Sequence, residues 1–463
     1  MADDSTWPRA RLIPVSGISS QKEAETRAAS AVLAVLSVVR DLSIELFAPL
    51  GASRAAKAVV ETFTEPQFTL DGRKVRPDGL VRITYGKTSW VALVEIKTGD
   101  MLLEPEQLND YWNVAREQGF DAVVTISNEI AAAAGVHPTA GLKVRANSKV
   151  NVHHISWTAL LTAAVMVKVH RGVDDAEQAW IVGELIRYLE HPASGAMAFD
   201  DMGPNWVAVR DTARDGVLRK NDEAVREIAH RWDQLLRFAC LRLGSAVGSE
   251  VRHILSRAQQ DPKARSTYLV DSLCAGRPLD GTLRIPNAVG DVDLFADLKA
   301  RRVMAAVNVP APDDRGGRAR CTWIMGQLTD APKSLVIEAY AKNARSPTVV
   351  PLAAALDDRD LLLGPDKREP VRFRLTLTTE MGMSRKTGAR APGFIDSVTN
   401  LLEGFYGAVV QPITPWYPKA PRISSPATAP AADAEGEPAE GSMQQPSPHR
   451  FPAPWDTDGG SSI

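Results

Sequence analysis

The stretch from Arg76 to Tyr111, RPDGLVRITYGKTSWVALVEIKTGDMLLEPEQLNDY, constrains the fold more than any other part of the chain. It sets an ordered series of polar residues on an apolar frame. A Pro77-Asp78-Gly79 turn leads into Leu80–Ile83, a short strand, and Ser89–Ile96, SWVALVEI, reads as a second, mostly apolar strand. Side chains alternate along a strand, so Glu95 and Lys97 point to one face while Ile96 turns into the core. If the two strands pair antiparallel, Asp78 arrives near that face. Two carboxylates there can hold a hard divalent cation such as magnesium or manganese, and Lys97 then faces whatever the metal binds.

The residues that follow narrow the pattern. Glu104-Pro105-Glu106 opens a helix in which Gln107 and Tyr111, four residues apart, share one face and can lean over the end of the preceding strand. Each element has an ordinary reading: a solvated Glu-x-Lys edge, an Asp that serves its own turn, a plain helix face. Their order within one hairpin-helix unit is far more restrictive. It resembles the PD-(D/E)XK nuclease superfamily, with Pro77-Asp78 and Glu95-Ile96-Lys97 as its two elements and Gln107-x-x-x-Tyr111 as the motif of its RecB-like branch.

The resemblance spans residues 20–200 and implies an α/β, restriction-endonuclease-like mixed sheet flanked by helices. It implies that Asp78 and Glu95, with the backbone carbonyl of Ile96, hold Mg2+ or Mn2+. Lys97 would orient a water or stabilise developing charge, and Gln107 and Tyr111 would position the lysine and the phosphate. The implied activity is hydrolysis of phosphodiester bonds in DNA. Glu25 is placed like the acidic residue that such nucleases often bring from a first helix; an exposed first-turn glutamate favoured by the helix dipole is the ordinary alternative. A further alternative is a non-catalytic nucleic-acid-binding protein, or a stress-response or defence regulator, on the same fold.

Composition narrows the setting. A chain of 463 residues with 44% apolar content supports two or three soluble cores. The net charge of −2 gives no whole-molecule attraction to nucleic acid, so binding rests on a local patch. Arg54, Lys57, Arg73, Lys74, Arg76, Arg82 and Lys87 form one candidate. Cys240, Cys274 and Cys321 are widely spaced, which suits a reducing cytoplasm and no zinc site. No signal peptide or membrane span is expected. Protein partners and a homo-oligomeric state stay open.

Along the chain, residues 1–18 carry no periodic signal. Ser20-Gln21-Lys22-Glu23 predicts a capping box, opening an apolar helix that runs to about Phe47. One strand is predicted from Ala58 to Leu70, a buried strand at Ala122–Ser127 joined to the motif strand by a parallel crossover, a small helix within Glu129–Asn147, a strand at Val150–Ile155, and helices at Trp157–Val167 and Asp174–Leu189. Adjacent on a strand, His153 and His154 read as one buried and one exposed residue rather than as metal ligands. A second, α+β domain is expected over 205–415. Its predicted elements are an amphipathic helix at Asn221–Leu243, strands at Arg302–Val309, Cys321–Leu328, Ser334–Ala339 and Val371–Thr378, and a closing helix at Phe394–Val410. Asp291 and Asp293 are assigned no role. Residues 418–463, rich in Pro, Ala, Ser and Gly, are expected to be a disordered tail.

Overall fold

The computed structural model describes residues 12–14, 18, 20–131, 135–144, 148–388 and 390–417. The expected tail, and most of the expected lead-in, lie outside the described residues. The protein is mixed α/β, with a mixed five-stranded sheet and a separate seven-stranded antiparallel sheet.

The first helix, α1 (Gln21–Val38), starts where Ser20 Oγ accepts from Glu23 N at 3.2 Å. The uninterrupted helix expected to Phe47 breaks at Val39, and α2 (Arg40–Phe47) follows. The Ser43 hydroxyl donates to Leu36 O at 2.6 Å, a bond across the junction that stands in for helical continuity there. The single strand expected over 58–70 is also divided, into β1 (Val59–Thr64) and β2 (Phe68–Leu70), with β3 (Arg73–Val75) completing a small hairpin with β2. Glu65 at φ 49° and then Pro66 end the pairing of β1, and Asp71 at φ 50° makes the hairpin turn.

Next come β4 (Gly79–Tyr85), β5 (Thr88–Ile96), α3 (Pro105–Gln118), β6 (Ala122–Ser127), β7 (Asn151–Ser156), α4 (Trp157–Val165) and α5 (Ala176–Leu189). The small helix expected between Glu129 and Asn147 does not form among the described residues. The sheet runs β1-β4-β5-β6-β7, antiparallel across the first three strands and parallel from β5 to β7. The β5-α3-β6 crossover therefore stands as its apolar strands predicted. Helices α1, α2, α4 and α5 bury one face against Val81, Ala92, Val94, Ile96, Val124 and Ile126. On the other face α3 and the β2-β3 hairpin pack on Leu80, Leu93 and Val123. Covered on both faces, β5 and β6 have to be nearly continuously apolar.

The remainder of the described chain holds α6 (Trp206–Asp215), α7 (Glu223–Val247), β8 (Arg252–Ile254), α8 (Pro262–Cys274), β9 (Leu279–Arg284), β10 (Val292–Asp297), β11 (Arg302–Pro310), α9 (Gly317–Gln327), β12 (Val336–Ala341), β13 (Thr348–Pro351), α10 (Leu352–Asp357), β14 (Pro370–Glu380) and α11 (Phe394–Phe405). The second sheet is ordered β13-β12-β14-β11-β10-β9-β8. The strand expected at Cys321–Leu328 is helical. Gly317, Arg320, Cys321, Ile324 and Met325 are its buried positions, a spacing of three and four that belongs to a helix. Inside this half, Trp206 and Trp232 close on Phe394, with ring centroids 4.2 and 6.1 Å away. The halves touch where α4 packs on α7 and where Gln234 Nε2 donates to Ile130 O at 2.7 Å. No described helix is long and apolar enough to cross a membrane.

Candidate functional site

The site lies where β5 ends, and backbone bonds fix that end from several sides. Lys97 N donates to Ile126 O at 2.8 Å, and the Trp157 indole, at the start of α4, donates to Lys97 O at 2.8 Å. Asp78 precedes β4, and its Oδ2 accepts from Ile96 N at 2.7 Å. The aspartate thus replaces the next rung of the β4-β5 ladder. Gly79 makes this approach possible: a Cβ there would stand 2.5 Å from Leu33 Cδ1 and 3.1 Å from Phe63 O. Without one, α1 settles on β4 and brings Glu25 to the site.

Lys97 Nζ lies 2.7 Å from Glu95 Oε1 and 3.2 Å from Glu25 Oε1. The shared face predicted for Glu95 and Lys97 is present, and Glu25 joins it from α1. The Glu95 side chain is only 1% exposed and that of Lys97 10%. Glu95 Oε2 is buried without a hydrogen-bond partner. Tyr111 Oη, beside Glu95, accepts from Gln107 Nε2 at 2.7 Å and lies 3.3 Å from Arg76 O. The Gln-x-x-x-Tyr pair therefore buttresses the turn that carries Asp78.

The electrostatics are those of an acidic cluster with one cation. Burial, then repulsion from Glu95, push Asp78 up to about 7, against the opposing pull of the Ile96 N–H and of Lys97. Burial also raises Glu95 and Glu25, with Lys97 opposing it in both. Burial draws Lys97 down, but Glu95, Glu25 and Asp78 together outweigh it and hold the lysine above its usual range. Tyr111 is raised by burial and by the charge of Glu95 beside it.

Among the described residues no group of three or more His, Cys, Asp or Glu side chains is arranged to hold a metal ion. The donors at this site are Asp78 and Glu95, with Lys97 set between Glu95 and Glu25. Magnesium commonly takes only one or two carboxylates and completes its shell with water and phosphate oxygens. Hard oxygen donors that repel one another, one of them an orphaned buried carboxylate oxygen, fit such an ion. Because N–H and C=O of one strand residue face the same neighbour, the Ile96 carbonyl is directed to the Asp78 side as well.

Sequence reasoning did not bring Thr125, His137 and His154 to this sheet end. The parallel register sets Glu95 beside Thr125 and Thr125 beside His154. Thr125 Oγ1 lies 2.9 Å from both His154 Nδ1 and His137 Nε2, and His154 Nε2 is 2.7 Å from Glu129 O. Burial lowers both histidines to about 4, so they are neutral at pH 7. His153 and His154 are both half-buried, rather than one in and one out. Counting residues from Glu95 across parallel strands would have found Thr125 and His154.

Of the seven basic residues noted near the motif, Arg73 pairs with Asp110, Arg76 with Glu65 and Arg82 with Glu61. Arg54, Lys57, Lys74 and Lys87 are exposed and carry no ion pair among the described residues. Away from the site, Asp291 pairs with Arg284 and Asp293 with Arg374. Comparisons with family models, with curated proteins and with solved structures find no match for this chain.

Proposed function

We propose that this protein is a metal-dependent nuclease of restriction-endonuclease-like type, hydrolysing phosphodiester bonds in DNA with Mg2+ or Mn2+. The observation that carries the reading is the convergence of Asp78, Glu95 and Lys97 at the C-terminal end of a central strand, with an unsatisfied Glu95 oxygen among them. Asp78 and Glu95 are the residues that would hold the ion. When bound, it supplies polarisation of a phosphate and lowers the pKa of a water molecule. Lys97, kept protonated by its carboxylate neighbours, offers N–H donors and positive charge to the phosphate oxygens as they gain charge. A lysine so strongly held in its charged form is a stabiliser of negative charge rather than a general base. Gln107 and Tyr111 act one step back, by fixing the turn that aims Asp78. Of the exposed cations, Lys87 in the β4-β5 turn and Arg54 and Lys57 ahead of β1 lie at the opposite end of these strands from Lys97, which leaves Lys74, beside α3, to meet a phosphate backbone at the site.

One observation favours a second reading. Lys97 already neutralises Glu95 and Glu25, so the same cluster could serve as a closed polar core in a protein that binds nucleic acid without cutting it. Incubation of the full chain with supercoiled, linear, nicked and single-stranded DNA in Mg2+ or Mn2+ separates the two. Cleavage that disappears in Glu95→Gln and in Lys97→Met supports the nuclease. Absence of cleavage on every substrate, with DNA retained in Ca2+, supports the second reading.

A further inference from the structure

A cavity of about 690 Å3 opens between α7 and β8 on one side and β7 and α4 on the other. Apart from Glu250 its polar groups are cationic or neutral, and two of them have a buried nitrogen without a hydrogen-bond partner. Arg237, on α7, has a buried Nη1 with no hydrogen bond, and His253, on β8, has a buried Nε2 with none. Asp233, one turn earlier on α7, is taken by Arg265, whose Nη2 lies 3.0 Å from its Oδ1. Glu250, also at the cavity, is engaged by Arg252 at 2.5 Å. Asp233 still attracts Arg237, but its oxygens are bonded to Arg265, so Arg237 Nη1 is left at the cavity without a hydrogen-bond partner. His154, at the cavity wall, has both ring nitrogens occupied.

We propose that this cavity is a binding site for a small organic anion, with a phosphate or carboxylate head held by Arg237 and His253 and an apolar body against Leu241, Val251, Ile254 and Leu255. The guanidinium presents paired N–H donors that match either head group, and the volume is that of a small-molecule site. The apolar wall and the concave shape favour a small molecule over a nucleic-acid backbone, which would meet charge on an open surface. Burial draws Arg237 below its usual range and His253 to about 4, as expected of donors desolvated without a partner. The site does not use the acidic cluster and stands or falls independently of the nuclease reading.

The test uses the full-length protein and titration calorimetry with three probes: AMP, octanoate and inorganic phosphate. At least one of the two organic anions should bind, and more tightly than inorganic phosphate. AMP alone would identify a phosphate head, octanoate alone a carboxylate head. Arg237→Met should weaken that binding at least tenfold, because a charge-assisted hydrogen bond is lost. His253→Ala, which keeps the guanidinium, should weaken binding by a smaller factor and decides the matter if Arg237→Met does not fold. Failure of both organic anions to bind, or equal affinity in wild type and the variants, would overturn the proposal.

Discussion

Replacing Asp78 by Asn should stabilise the protein at pH 8 and leave it unchanged near pH 3. In the folded chain Asp78 ionises at about 7, against an ordinary value of 3.8. That difference of about 3 units, at about 1.4 kcal/mol each, makes charging this carboxyl cost up to about 4 kcal/mol in the native state. Asp78 and Glu95 share the penalty, and asparagine gives up the attraction to Lys97, so the expected gain is about 1–3 kcal/mol. The amide oxygen can still accept from Ile96 N, which keeps the ladder rung.

The sign follows from the raised pKa. Between pH 4 and 7 the native state binds more protons than the unfolded chain, so the wild type loses stability as pH rises through the folded pKa and Asp78→Asn does not. Urea unfolding at pH 3, 5, 6 and 8 should show the two curves separating across that window and running parallel above it. Mg2+ should then restore stability to the wild type at pH 8 far more than to the variant. A variant less stable than wild type at pH 8, or a difference that does not change with pH, would refute the argument that Asp78 is held charged at a cost.

Lys97→Met should act in the opposite direction. It leaves Glu95 buried without its cation, costing about 3–5 kcal/mol at pH 8 and less at pH 5, where Glu95 can take a proton; denaturation at the two pH values checks this. Trp157→Phe keeps an aromatic side chain but removes the donor to Lys97 O and part of a buried ring system, and should lower stability by about 2–4 kcal/mol while slowing cleavage through misplacement of Lys97. In the other half, Trp232→Ala removes a fully buried ring and should cost about 3–5 kcal/mol by chemical denaturation.

How far the sequence could be read depended on how local the relevant interactions are. The Glu95-Lys97 face follows from strand alternation and the Gln107-Tyr111 bond from helical spacing, both within a few residues, and both were legible. The break at Val39 was not, because the Ser43 hydroxyl reaches a carbonyl seven residues back and nothing in the local apolar pattern announces it. Strands β9 and β10 were not legible for a related reason: Asp280, Asp293 and Asp297, residues with low strand propensity, stand among their outward positions, and the sheet tolerates Asp293 through a cross-strand bond from Thr282 at 2.9 Å. In α9 the small apolar run Cys321–Met325 fits a strand as well as a helix, and only the buried Arg320, bonded to the Arg315, Pro370 and Asp313 carbonyls, decides its period.

Helix α4, about 13 Å at 1.5 Å per residue before it runs on into a π-helical turn over Met166–Arg171, answers to different parts of the molecule at its start and along its side. Trp157 at its start holds the Lys97 peptide, while Thr162 donates to Leu241 O at 3.4 Å on α7. The helix thus links the Lys97 peptide, at its start, to a neighbouring helix along its side. A small rotation of α7 would reach the acidic cluster as a displacement of one indole, without any strand of the five-stranded sheet having to slide.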